Sequence, residues 1–309
     1  MVKIDLITGF LGSGKTTFLK KYAGYMLDKG MNIGILENDY GAVNVDMMLL
    51  QDIAGDSCTL EMVSGGCDAD CHRRRFKTKL IAMGMSGYDR VIVEPSGIFD
   101  IDEFFDVLHE EPLDRWYEIG SVIAIVDAKL DTELSEQSAY LLASQIANSG
   151  CVILSRTEQA QASDITSTIQ TINSVMEQFK CNRRFKDELI IKSWDDINTT
   201  DLEAIEHSGY RIESYVKAYG DDNTNYSSLY FMNKNISVEG LEEKIKAMFK
   251  NTACGNIFRI KGFIPDSKGW LELNATKKEI KVKPIENGQE IIIVIGEALN
   301  ESEISTYFQ

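Results

Sequence analysis

Gly9-Phe10-Leu11-Gly12-Ser13-Gly14-Lys15-Thr16 (GFLGSGKT) decides how the chain is read, because it fits the pattern G-x-x-x-x-G-K-[ST]. An apolar run of strand length precedes it (residues 3–8), and a stretch with helical periodicity follows it (16–28). In a strand–loop–helix setting, Gly9, Gly12 and Gly14 let the backbone curl so that its N–H groups, that of Ser13 among them, face a phosphate chain. The positive end of the helix, entered at Thr16 and Thr17, points at the same charge. Lys15 is expected to reach the β- and γ-phosphates, and Thr16 to place its hydroxyl on Mg²⁺.

Working outward, strand and helix patterns alternate through the first two-thirds of the chain. Apolar, β-rich runs fall at 3–8, 32–37, 58–63, 90–94, 121–127 and 151–155, and helical stretches at 16–28, 72–85, 133–148 and 164–179. This predicts the α/β class: a parallel sheet with helices on both faces, its ligand at the carboxyl ends of the strands. Residues 219–228 (YGDDNTNYSS) are polar and aperiodic and read as a linker. They divide a P-loop nucleotide hydrolase domain, 1–218, from a small α+β domain, 229–309. In the latter a strand near 230–236 leads to a helix at 239–250. Strands follow at 256–263, 269–274, 279–284 and 290–295, and a terminal helix starts near Ser302.

Composition narrows the function. With 32 basic and 48 acidic residues the net charge is −16, which argues against a general nucleic-acid or anionic-membrane binder. No apolar run spans a bilayer, and six cysteines in 309 residues are too few for a disulfide scaffold. Together with the nucleotide site, these features predict a cytoplasmic protein with reduced thiols.

Two further loops end strands where phosphate machinery belongs. Glu94-Pro95-Ser96-Gly97 offers a carboxylate that can hold a Mg²⁺-bound water, and a Gly97 N–H that can face the γ-phosphate. Glu37-Asn38-Asp39-Tyr40-Gly41 offers two carboxylates on a loop able to change shape with the nucleotide.

In this order the motifs resemble one family. ITGFLGSGKTT, ENDYG, SGGC before a basic helix, VEPSG and SVIAIVDA, then FRIKGFI and IIVIGEALNESEI near the end, resemble the CobW-type P-loop GTPases. These are relatives of the nickel-insertion GTPases of urease and hydrogenase. The resemblance covers nearly the whole chain. It implies a GTPase that delivers or inserts a metal ion or metallocofactor into a client metalloprotein or corrinoid protein. It implies catalytic and Mg²⁺ roles for Lys15, Thr16, Glu94, Asp39 and Glu37, and makes Cys67 the first thiol of a metal motif.

The chain departs from that family twice. Where the family reads C-x-C-C, this sequence has Cys67-Asp68-Ala69-Asp70-Cys71-His72. Thiolate, imidazole and carboxylate are donors for Zn²⁺ or a similar transition metal, so Cys67 and Cys71 are the candidate ligands, with His72 or Asp70 as a third and Glu37 reaching in from the switch loop. Where the family reads N-K-x-D, this sequence has Ser155-Arg156-Thr157-Glu158. Glu158 can still accept two donors from guanine, Arg156 can stack its guanidinium on the base, and Ser155 loses the amide function. The alternatives kept open are an ATP-using activator, a P-loop small-molecule kinase and a nucleotide-gated scaffold. The sequence also leaves the oligomeric state open, a homodimer included. Arg73, Arg74 and Arg75 open a helix against its dipole, which an anionic neighbour would explain. Cys58, Cys151, Cys181 and Cys254 are expected to pack.

Overall fold

The computed structural model describes residues 1–39, 45–65, 69–186, 188–216, 226–232, 236, 239–267, 269–285 and 288–308. The chain folds into two compact units, Met1–Asp222 and Asn223–Gln309.

The first unit runs β1 (Val2–Thr8), α1 (Lys15–Asp28), β2 (Ile33–Asp39), α2 (Val45–Leu49), β3 (Cys58–Ser64), α3 (Ala69–Gly84), β4 (Arg90–Pro95), α4 (Ile101–Leu108) and α5 (Leu113–Trp116). It continues through β5 (Tyr117–Asp127), α6 (Glu136–Ala147), β6 (Cys151–Ser155), α7 (Ala162–Gln178), β7 (Leu189–Ile191) and α8 (Thr199–Glu206). The seven strands form one parallel sheet in the order β3-β2-β4-β1-β5-β6-β7. The expected parallel α/β sheet is therefore present, with a seventh strand, β7, that only three residues make.

Alternation along the strands sorts the two faces. Ile123, Ile125 and Ile153 pack with Phe18, Tyr22 and Met26 of α1 and Leu202 and Ile205 of α8. Ala124, Val126, Val152 and Leu154 pack with α6 and α7 on the other face. Further along that second face, Val91 and Val93 meet Phe76 and Leu80 of α3 and Phe104 of α4. Helices α4 and α8 are elements the sequence reading did not separate. Each has only eight residues, a length at which helical periodicity is weakly determined.

A buried charge cluster ties α1 to the sheet beneath it. Asp5 of β1 is fully buried and meets Arg90 of β4 at 2.6 Å. Arg90 also reaches Glu206 of α8 at 3.1 Å, and Lys29 closes on Glu206 at 2.6 Å. Tyr22 and Tyr25 of α1 donate to Asp5 (2.9 Å) and Glu206 (3.0 Å). The Ser121 N–H completes Asp5 at 2.7 Å. Burial pushes the Asp5 carboxyl up; Arg90, Ser121 and Tyr22 pull against it.

The second unit has β8 (Tyr226–Met232), α9 (Leu241–Lys250), β9 (Asn256–Asp266), β10 (Gly269–Thr276), β11 (Ile280–Ile285), β12 (Ile291–Glu297) and α10 (Glu301–Ser305). Its strands form an antiparallel sheet, order β11-β10-β9-β12-β8. Leu241, Ile245 and Met248 of α9, with Ile304 and Phe308, cover one sheet face at Ile260, Ile264, Ile292 and Val294. Strand β8 starts at Tyr226, inside the stretch read as linker; most of that stretch, 219–225, lies outside the described residues.

Candidate nucleotide and metal site

The loop between β1 and α1 turns on glycines in the left-handed region. Gly9, Gly12 and Gly14 have φ of 144°, 73° and 98°. At Gly9 a Cβ would stand 2.2 Å from the Ile125 carbonyl oxygen, so no larger residue fits. Ser13 N–H donates to the Phe10 carbonyl (3.1 Å) and fixes the curl. Helix α1 starts with no side-chain cap and no acid in its first turn, which leaves its amide end open to an anion. Lys15 is buried inside this loop, its Nζ donating to the Gly9 carbonyl at 3.1 Å.

Hard oxygen donors gather beside the loop. Thr16 Oγ1 donates to Glu94 Oε1 at 2.8 Å. Glu37 is the register partner of Glu94 on the adjacent strand, and both carboxylates are buried, at 3% and 4% exposure. These two buried acids stand side by side, with a hydroxyl on one of them, and a cation placed there would offset their charge. Oxygen donors of this kind suit Mg²⁺, so the residues present fit that ion. Asp39 ends β2, half-buried, two residues beyond Glu37. Gly97 backs the phosphate loop directly: a Cβ there would stand 2.5 Å from Leu11 N and 2.8 Å from Leu11 Cα. Its own carbonyl is held by Gln145 Nε2 at 3.0 Å.

On the base side the structure corrects one expectation. Arg156, at φ 56°, does not lie open for stacking. Its guanidinium pairs with Asp127 at the end of β5 and donates to the Gly12 carbonyl at 2.7 Å, tying the base loop to the phosphate loop. A charged partner and a carbonyl hold a guanidinium better than an open face does. Ser155 is buried, donating to the Val126 carbonyl at 3.4 Å, and Glu158 is exposed in the turn that follows. Trp194 stands at the same end, 3.4 Å from where a Gly14 Cβ would be, and stacks obliquely on Phe18 at 5.6 Å.

The thiol region is described in part. Tyr40, Gly41, Cys67 and Asp68 lie outside the described residues. Cys71 is half-buried in the first turns of α3, in no disulfide. His72, the candidate third ligand, is fully buried, with Nε2 at 2.8 Å from Asn38 Oδ1 and Nδ1 at 3.1 Å from the Gly65 carbonyl. Burial holds its pKa below the ordinary imidazole value, while the Gly65 hydrogen bond and Asp39 pull the other way. Through Asn38 the ring braces α3 against the end of β2, and through Gly65 against the chain just past β3; a neutral ring donates to one of these oxygens only. Among the described residues no three His, Cys, Asp or Glu side chains converge on one point. Cys58 packs in the core, where burial pushes its thiol up to about 11.

The model of the "CobW/HypB/UreG, nucleotide-binding domain" family matches residues 3–183. The chain belongs to this family. The family match covers the phosphate loop, both carboxylate strands and the thiol region. Among curated relatives, the Escherichia coli zinc chaperone YjiA is 30% identical over 186 residues, covering 56% of this chain and 55% of the relative. The Schizosaccharomyces pombe zinc-regulated GTPase metalloprotein activator 1 is 25% identical over 179 residues, covering 55% and 43%. The match to these relatives thus spans about half of their length. Among solved structures, Zn(II)-bound YjiA from E. coli aligns over 99% of this chain and 98% of its own, at 19% identity and a TM-score of 0.42. No helix among the described residues is long and apolar enough to cross a membrane.

For this CobW/HypB/UreG chain, three site residues escaped sequence reasoning. Asp127 carried a signal, an acid closing the apolar run SVIAIVD. Trp194 carried none, and Asn38 stood in the Glu37-to-Gly41 loop without a role, since their partners, Gly14 and His72, are distant in sequence. The Gly97 contact yields a test. Gly97→Ala presses a methyl onto loop backbone, which cannot yield as a side chain can. A displacement of about 1 Å can cost on the order of 10²-fold in rate. The expected result is a loss of that order in nucleotide hydrolysis with an unchanged circular dichroism spectrum; phosphate release at the parent rate would contradict it.

Proposed function

We propose that this chain is a GTP hydrolase that uses its nucleotide cycle to hold and then hand over a transition-metal ion, zinc foremost, to a client metalloprotein. The observation that carries the reading is the His72–Asn38 contact, which fastens the helix bearing Cys71 to the strand bearing Glu37 and Asp39. A nucleotide that reshapes the end of β2 then acts on the thiol region through one hydrogen-bonded step.

In this reading the loop amides and Lys15 hold the β- and γ-phosphates, and Thr16 and Glu94 hold Mg²⁺, with Glu37 beside them. The ion supplies charge neutralisation at the transferring phosphoryl group. Asp39 orients the attacking water, and the Gly97 N–H faces the γ-phosphate. Glu158 accepts the paired donors of guanine, while Arg156, through Asp127 and Gly12, sets the distance between base loop and phosphate loop. Cys67 and Cys71 hold the cargo; two thiolates favour zinc or a similar borderline ion over Mg²⁺. The zinc chaperone names of the relatives support the choice of cargo.

The test is a competition titration against a chromophoric zinc chelator in apo, GDP and GTP-analogue states. We expect one tightly bound ion per chain, an affinity that differs between nucleotide states, and a loss of at least about tenfold in Cys67→Ala and in Cys71→Ala, the scale of a lost ligand-shell contact. Thiols must shed protons to bind, so affinity is expected to fall as the pH is lowered. If both variants bind zinc like the parent protein, the thiols are not the cargo site. If binding ignores the nucleotide, the coupling is wrong.

A further inference from the structure

Helix α3 carries more positive charge than its surroundings balance. Arg73 and Lys77 close on Glu110 at 2.7 and 2.5 Å, and Lys79 closes on Glu61 at 2.8 Å. Arg75 donates to a neutral acceptor, the Ser64 carbonyl, at 2.9 Å. Arg74 has no ion-pair partner among the described residues. Both of these guanidiniums are exposed, on a chain of net charge −16. With Cys71 they line one side of a groove of about 680 Å³ whose other side is Met62, Val63 and Ser64; Asp70 is the one acid in its lining among the described residues.

The strand side of this groove is a sheet edge. β3 is the first strand in the sheet order. The Ser57 carbonyl accepts from Ile33 N–H at 2.9 Å, so alternation turns residues 59, 61 and 63 toward β2 and residues 58, 60, 62 and 64 outward. Of the outward set, Cys58 is bonded to Gly55 and the Ser64 carbonyl to Arg75. Leu60 and Met62 present N–H and C=O groups to no ladder partner among the described residues. The Met62 side chain is 40% exposed beside them. A strand edge that presents unpaired N–H and C=O groups can accept an added strand.

One occupant uses all of these features. We infer that the β3–α3 groove docks an extended, acidic peptide segment of the client, backbone-paired on Leu60 and Met62, with its carboxylates on Arg74 and Arg75. This places the segment beside Cys71. That the partner is the client rests on the proposed metal-delivery function; docking itself requires neither nucleotide nor metal. Nucleic acid is disfavoured as the occupant because the outward carbonyls of Leu60 and Met62 need N–H donors, which a phosphate backbone lacks.

The experiment is fluorescence anisotropy on the full chain, free of metal and nucleotide. The probes are a fluorescein-labelled Val-Glu-Val-Glu-Val-Glu peptide, its Val-Lys counterpart, and citrate as competitor. The acidic peptide is expected to bind and the basic one not. Arg74→Glu with Arg75→Glu, and separately Met62→Pro, which deletes an N–H outside the sheet ladder, are each expected to weaken binding at least about tenfold. Arg74 is exposed and in no ion pair among the described residues, so Arg74→Ala keeps the fold and is expected to show a smaller loss in the same direction. Equal binding of both peptides, or indifference to the arginine changes, overturns the inference. So does an unchanged affinity in Met62→Pro when the arginine reversal abolishes both peptide and citrate binding, since that result describes a small-anion site. Peptide docking that persists while the zinc titration fails would refute the delivery function and leave the groove intact.

Discussion

Lys15→Ala is expected to lower triphosphate hydrolysis by about 10²–10³-fold, the scale of removing one preorganised donor to developing phosphate charge. The reason lies in where Lys15 sits. It is buried within the loop, and its ammonium rests on the Gly9 carbonyl at 3.1 Å, a neutral acceptor that a phosphate oxygen outcompetes. The substitution leaves the loop geometry alone: the Ser13-to-Phe10 and Phe18-to-Gly14 backbone bonds, both 3.1 Å, do not involve the side chain. Thermal unfolding of the variant should therefore track the parent protein while phosphate release collapses. A variant that hydrolyses GTP at the parent rate would remove the basis for reading this loop as the catalytic centre.

Arg90→Met is expected to have the largest effect on stability. The side chain lies between Asp5 and Glu206, and the side chains of Arg90, Asp5 and Glu206 are 4%, 0% and 4% exposed. Methionine fills much of the volume but leaves two carboxylates without their shared cation. Breaking a buried pair from one side costs about 3–5 kcal/mol. For a unit of this size that lowers the melting temperature by on the order of 10 °C. Circular dichroism melts at neutral pH would measure it. A shift of under about 3 °C would mean that Lys29, already 2.6 Å from Glu206, and the two tyrosines carry the cluster alone. The double variant Asp5→Leu with Arg90→Met tests the pairing, because removing both charges should cost less than the two single losses combined.

Most of the architecture was legible because it depends on local pattern. Phosphate loop, apolar strand runs and periodic helices are local patterns, and β1, β2, β3, β4, β5 and β6 fall where those patterns put them. The short α4 and α8 were passed over although they carried local signals, an apolar stripe at Ile101, Phe104, Phe105 and Leu108 behind an Asp100 cap and an Asn198–Asp201 capping box; the three-residue β7 gave none. The site was legible residue by residue but not in its wiring. Glu37 and Glu94 could be named from their loops, yet their pairing comes from strand register, which sequence alone leaves open. His72 stood in a row of metal-donor residue types, and only the folded position of Asn38 shows that its ring is a brace. Arg156 was assigned to the base on motif position; the acid that claims it, Asp127, is 29 residues away.

The indole of Trp194 has a consequence outside chemistry and stability. It stands against Gly14, at the turn where the phosphate loop becomes α1, while the chain's other two tryptophans, Trp116 and Trp270, belong to other elements. The protein therefore carries its own light source within the nucleotide site. With Trp116 and Trp270 replaced by phenylalanine, emission would arise from that one position, and occupancy of the loop becomes an optical signal that needs no attached dye.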